Sequence, residues 1–235
     1  MNTILRAHLR FAATFLTGIS CLALASCNAP GKPEVPQGIL TYDIDYPDHK
    51  DQLFLYGLLP KEMKLSYKGS VMEIKVSKSN MENTLLIDNQ KQRMLAYFKY
   101  DAPISTTLSQ ADIQTLFTQD PAFQIRYTDE RKQIIGFNAQ KAIATNPKDT
   151  SEKVEVWYTQ EIPAIRQQWF GPYRDIQATI LSYTLKNHGM RMVFTAKQYE
   201  EVPVSDSIVT FERPGQKISY TDYDRHLSEL FESFQ

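Results

Sequence analysis

The sequence predicts a mainly β (α+β) fold: a strongly curved antiparallel sheet, or half-barrel, with a short plug-like helix and a C-terminal helix. Three observations lead there. Apolar and polar residues alternate over many short segments, the period of strands with one buried face. Turn sequences such as Lys68-Gly69, Asp88-Asn89 and Asn187-His188-Gly189 separate these segments closely, so strand follows strand as in a meander. Composition agrees: 13 tyrosines and 12 phenylalanines against 9 glycines suit strands that carry large side chains.

The chain of 235 residues opens on a segment unlike the rest. Arg6 and Arg10 lead into an apolar run over 11–25. That run is shorter than the roughly 20 residues that span a bilayer. A basic start, a short apolar core and small residues before a cleavage point describe a secretory signal over residues 1–26. Leu24-Ala25-Ser26-Cys27 resembles the bacterial lipobox, which implies acylation of Cys27 and cleavage just before it. Asn28 stands where some lipoproteins carry the aspartate that retains them at the inner membrane. The expected address is the bacterial cell envelope, lipid-anchored, at the periplasmic face of the outer membrane. Residues 27–37 read as a tether. Pro30, Pro33 and Pro36 favour an extended path of about 3.1 Å per residue, roughly 30 Å in all. Residues 38–235 then form a single domain.

Cys21 leaves with the signal and Cys27 carries lipid, so the domain has neither a disulfide nor a thiol nucleophile. A net charge of −1 lacks the basic footprint of a nucleic-acid binder.

Strands begin with Leu40, Tyr42, Ile44 and Tyr46, which alternate with Thr41, Asp43 and Asp45. Met63, Leu65 and Tyr67 repeat the pattern, and Met72, Ile74 and Val76 return after the turn. Segments 85–87 and 94–100 flank a further turn, and 123–128 and 131–145 read as another pair. Val154, Val156 and Tyr158 alternate with Glu155 and Thr159. Two long strands, 176–186 and 190–199, follow, and 208–211 reads as a last short one. Helices are expected at two places. Ser109-Gln110-Ala111-Asp112 has capping-box spacing and precedes Ile113, Leu116 and Phe117. Thr221-x-x-Asp224 repeats the cap before a stripe of Leu227, Leu230, Phe231 and Phe234.

Late strands are apolar on both faces. Ile176, Ala178 and Ile180 point one way; Leu181, Tyr183 and Leu185 point the other. Such a strand is covered on both sides, or one face lines an apolar cavity. Two helices are few for a sheet of roughly ten strands, and a sheet curved around a cavity resolves the shortage.

The search for chemistry is mostly negative. Beyond the signal the histidines are His49, His188 and His226, none with a ligand partner at i+2 or i+4 on its own element. Asp43, Asp45 and His49 could hold a cation, but read more simply as the wet side of an edge strand. No nucleophile elbow, phosphate loop or dinucleotide fingerprint is present, so no enzyme, metal or cofactor is expected. Segment 157–173 is the densest in aromatics, with Trp157, Tyr158, Trp169, Phe170 and Tyr173. Two readings stay open: an exposed binding loop, or a cap on the end of the core.

Ile134-Ile135-Gly136-Phe137-Asn138-Ala139-Gln140-Lys141-Ala142 resembles a motif of the GLPGLI family, exported proteins of unknown function. Ala139 stands where that family has a cysteine. Segment 155–163 is similar to its aromatic strand ending in isoleucine-proline, and Gly171-Pro172 to its glycine-proline. Ile176-Gln177-Ala178-Thr179-Ile180-Leu181 occupies the place of the naming hexapeptide, and Gly38-Ile39-Leu40-Thr41-Tyr42 fits the family start. The relatives resemble LolA/LolB-type half-barrels. That resemblance implies a LolA-like β domain over 38–235 that handles acyl chains or lipoproteins.

The functional expectation is non-catalytic binding or carriage of a lipid or acyl chain, lined by Tyr42, Leu65, Ile74, Phe98, Ile180 and Phe194. The alternative is an envelope assembly module that docks a protein through Trp157, Trp169, Phe170 and Tyr173.

Overall fold

The structure, a computed structural model, describes residues 35–162, 165 and 169–232. The signal, Cys27, the tether as far as residue 34, Pro163 and Phe234 lie outside the described residues.

One open twelve-stranded sheet dominates. Its strands are β1 (Gln37–Asp45), β2 (Glu62–Lys68), β3 (Val71–Lys78), β4 (Met81–Asp88), β5 (Arg93–Lys99), β6 (Ile104–Leu108), β7 (Gln124–Ile134), β8 (Phe137–Asn146), β9 (Asp149–Thr159), β10 (Thr179–Asn187), β11 (Met190–Glu200) and β12 (Gln216–Lys217). The spatial order is β12-β6-β5-β4-β3-β2-β1-β11-β10-β9-β8-β7. Every pairing is antiparallel except the short β12 beside β6. Two meanders, β1 to β6 and β7 to β11, therefore meet at a seam where β1 pairs with β11. The mainly β class and the meander agree with the sequence expectation.

Three helices stand among the described residues: α1 (Leu53–Leu58), α2 (Gln110–Gln119) and α3 (Tyr220–Glu232). α2 starts at the expected capping box. Asp112 N donates to Ser109 Oγ at 3.2 Å, and Ser109 N to Asp112 Oδ2 at 2.7 Å. The cap of α3 is Ser219, two residues before the expected Thr221. Ser219 Oγ accepts from Asp222 N at 3.1 Å and donates to Asp222 Oδ2 at 2.7 Å. Ile218 N still donates to Ser105 O at 3.0 Å, which keeps the chain extended to that point, and Ser219 is the first residue free to cap.

Other expectations are corrected. The β7–β8 turn is at Ile135-Gly136, with φ of +45° and +86°, and not at residues 129–130. Residues 128–130 instead interrupt the register of β7. Segment 208–211 is no strand; a 3₁₀ turn, Asp206–Val209, holds Ile208 against Leu86, Leu95 and Tyr97. β10 begins at Thr179 rather than 176, and Tyr46 lies just past β1. β1 is central, not an edge. Asp43 pairs with Lys197 at 3.0 Å and Asp45 with Lys50 at 2.8 Å. α1 and β6 were not expected: Leu53-Phe54-Leu55-Tyr56-Gly57-Leu58 is apolar without a period, and Ile104-Ser105-Thr106-Thr107-Leu108 is largely polar.

Candidate ligand-binding face

The register aligns side chains of six strands into rungs on one face. Leu40, Leu65, Ile74, Leu85, Ala96 and Thr106 oppose one another in turn from β1 to β6. Tyr42, Met63, Val76, Asn83, Phe98 and Ile104 form the next rung. Gly38, Tyr67, Met72, Ile87, Met94 and Leu108 form a third. Phe194 joins from β11 opposite Ile44. Successive side chains of a strand alternate faces, so shared registers put all of these on one side.

Five of the six expected lining residues thus lie together. Tyr42, Leu65, Phe98 and Phe194 are buried in the main cluster, and Ile74 packs against it partly buried. Ile180 does not join them. Its side chain lies in a second cluster with Ala142, Ala144, Val156, Tyr158, Tyr173 and Ile176. An irregularity between Ile180 and Ser182 shifts the pairing of β10 with β9, and the next residue, Leu181, enters the main cluster.

Ile180 still serves the face through its backbone. β10 pairs with β11 only from Ser182 onward, and Tyr42 Oη donates to Ile180 O at 2.7 Å. Burial, and then the neighbouring Tyr183 hydroxyl, push the Tyr42 phenol well above its ordinary range, so it stays a neutral donor. Tyr183 is the aromatic centre that sequence reasoning did not single out. It stacks on Phe194 at 4.8 Å and meets Tyr42 and Tyr173 edge-on at 6.0 and 5.8 Å. Its only sequence signal was its place on the second apolar face of β10.

The cover is thin. Ile113 of α2, Tyr223 and Leu227 of α3, and Ile162 and Ile165 of the β9–β10 connection complete the main cluster. Asn83, the amide among the rungs, accepts from Tyr223 Oη at 3.3 Å. α2 buries one side chain, Ile113. Its far end is tied down by Lys148 Nζ on Gln119 O at 2.7 Å and by Arg174 Nη1 on Asp120 O at 3.2 Å. The Arg174 guanidinium also lies 4.6 Å over the Phe117 ring.

The described aromatic side chains of segment 157–173 are buried or partly buried. Tyr173 is 4 % exposed and donates to Thr184 O. Trp157, Trp169 and Phe170 are partly buried against the main cluster, and Phe117 meets Trp169 edge-on at 6.2 Å. Of the two sequence readings, these contacts match the cap on the core.

A cleft of about 290 Å³ opens where β8 begins and β9 ends, lined by residues that include Arg131, Gln140, Tyr158 and Glu161. Glu161 Oε1 accepts from Asn138 Nδ2 at 2.9 Å. Among the described residues no three His, Cys, Asp or Glu side chains gather as a metal site. His49 meets Gln52, and the Asp43 and Asp45 carboxylates are held by lysines.

No protein-family model matches the chain. No curated protein matches it either. Among solved structures, it is similar to PNGF-II in two crystal forms, at 14% identity and a TM-score of 0.50 over 81% and 85% of this chain. The chain spans about a third of PNGF-II, 32% and 33% of its length. A LolA superfamily protein, NE2245 from Nitrosomonas europaea, aligns over 76% of this chain and 91% of its own at 16% identity, but with a TM-score of 0.17, too low to bear on the fold. The likeness to PNGF-II concerns the fold alone.

Proposed function

We propose that the protein is a lipid-anchored protein of the bacterial envelope that binds or carries a hydrophobic ligand, a lipid or acyl chain, without chemistry on it. The observation that carries the reading is the mismatch between face and cover. Three rungs across six strands are closed by short elements, of which α2 contributes one buried side chain. Much of the remaining cover comes from side chains that stay partly buried, Leu116 and Phe117 of α2 and Leu230 and Phe231 of α3 among them, and a cover held in this way can move aside while the sheet stays intact. An acyl chain of a dozen methylenes would gain roughly 10 kcal/mol from burial, before the costs of immobilisation and of displacing the cover.

The same reading takes the sheet as a half-barrel. α3 packs on β6, and its Phe231 stacks on His188 in the β10–β11 turn at 5.4 Å. Six strand spacings separate β6 from β11, roughly 29 Å along a flat sheet. The 13 residues of α3 reach about 20 Å. A sheet curled toward the helix supports both contacts. The anchor rests on Cys27 and its preceding Leu-Ala-Ser, and the outer-membrane placement on Asn28.

Native mass spectrometry of protein extracted gently from membranes tests the binding. A co-purifying lipid, and saturable one-to-one binding of a fluorescent fatty acid that unlabelled fatty acid displaces, are expected. A lipid-free protein that also fails to saturate with the probe would overturn it. Metabolic labelling with an alkyne fatty acid tests the anchor: label is expected on the parent and lost in C27S, and an unlabelled parent removes the anchor from the reading.

A further inference from the structure

α1 turns its largest apolar side chains outward. Leu53 is 81% exposed, Phe54 83% and Leu58 48%, and no residue of the helix is buried. The tip is nevertheless built firmly. Tyr56 Oη donates to Asp45 Oδ1 at 3.0 Å, and Lys61 Nζ sits 2.9 Å from the centre of the Tyr56 ring. Lys78 Nζ donates to the carbonyls of Gly57 and Leu59, so backbone acceptors at the end of the helix already have a partner. Of the carboxylates near its base, Asp45 and Asp48 are paired with Lys50 and Arg191, while Asp51 stands exposed to water.

We propose that α1 is a bilayer-contacting tip, with Leu53, Phe54 and Leu58 entering the lipid interface. Exposure, size and reach select a lipid surface as the occupant. The side chains stand exposed one by one, and fluid acyl chains accept such side chains where a folded partner would have to match each with a socket. Three side chains are far short of the roughly 800 Å² per partner that a stable protein interface buries. Paired carboxylates and lysine-held carbonyls lower the cost of leaving water for the interface.

Reach rests on the anchoring reading. α1 follows the far end of β1, nine residues or about 30 Å from the end that leads to the tether. Extended, the residues between Cys27 and Gln37 span about 31 Å. A lipid on Cys27 and the α1 tip can therefore meet one bilayer.

The test uses the full chain in phosphatidylethanolamine–phosphatidylglycerol vesicles, with an environment-sensitive fluorophore on F54C or, for comparison, on V209C. Val209 is a partly exposed residue of the Asp206–Val209 turn, outside α1. The F54C label is expected to shift to the blue and to be quenched several-fold less by an aqueous quencher than the V209C label. Equal quenching of the two labels overturns the proposal. The mass of the N-terminal peptide reports separately whether Cys27 is acylated.

Discussion

Tyr42 shows how one hydroxyl can join distant parts of a sheet. It leaves β1, passes the intervening β11 and donates to a carbonyl of β10. The carbonyl lies where the β10–β11 ladder has not yet begun. Removing the hydroxyl strands a buried acceptor, so Tyr42→Phe should destabilise by about 1–3 kcal/mol in urea unfolding with little change of secondary structure. Gly38 acts by what it lacks. Tyr67 and Tyr199 bond hydroxyl to hydroxyl at 2.8 Å from the two strands that flank β1. A Cβ on Gly38 would meet Tyr67 Oη at 2.9 Å and Glu200 O at 2.7 Å. Alternation put Tyr42, Leu65 and Ile74 each on the apolar face of its own strand, but the sequence did not settle which faces share a side, and Phe98 stands in a run over 94–98 that is apolar and buried throughout. The side-chain placement of Ile180 was not legible, because an irregular pairing one residue long leaves no mark in hydropathy.

At the scale of elements, the caps are instructive. Ser219-x-x-Asp222 and Thr221-x-x-Asp224 overlap, and both satisfy the same local rule. Tertiary pairing of Ile218 with Ser105 chooses between them. Ser219→Ala should cost about 1 kcal/mol in thermal or urea unfolding, whereas Thr221→Ala, inside the helix, should be close to neutral. Equal effects would return the cap to Thr221. α1 was illegible for a different reason. A continuous apolar hexapeptide has neither a period of 2 nor one of 3.6, and sequence alone gives no cause for such residues to face outward. The β7–β8 turn was misplaced because polar Asp129-Glu130 looks more like a turn than Ile135-Gly136, although the bend carries two positive φ values.

At the scale of the whole molecule, the tyrosines link the fold to pH. Burial raises the phenols of Tyr42, Tyr183, Tyr173 and Tyr223, and pushes Tyr220 up to about 12. A raised phenol favours the folded state while the phenol is neutral. That contribution is complete below the ordinary value near 10 and is lost as pH rises toward the raised values. Stability should therefore fall above pH 10, with tyrosinate absorbance and circular dichroism changing together, and Y42F should flatten the slope. Tyrosinate forming well before any loss of structure would show these phenols to be accessible. The meander was readable from spacing, but the seam between β1 and β11 was not. It joins residues such as Ile44 and Phe194, which no local pattern relates.

That seam also determines how the molecule bears a pull. The N-terminal segment enters β1, and β1 is bonded along both sides, to β2 and to β11. On the anchoring proposed above, a pull along the axis of β1 shears the hydrogen bonds of both ladders together rather than peeling them one after another. Had the chain entered the sheet at β7 or β12, the same force would unzip an edge. For a domain held by its N-terminus, the middle of the sheet is the mechanically strongest point of attachment, and the fold brings the chain in there.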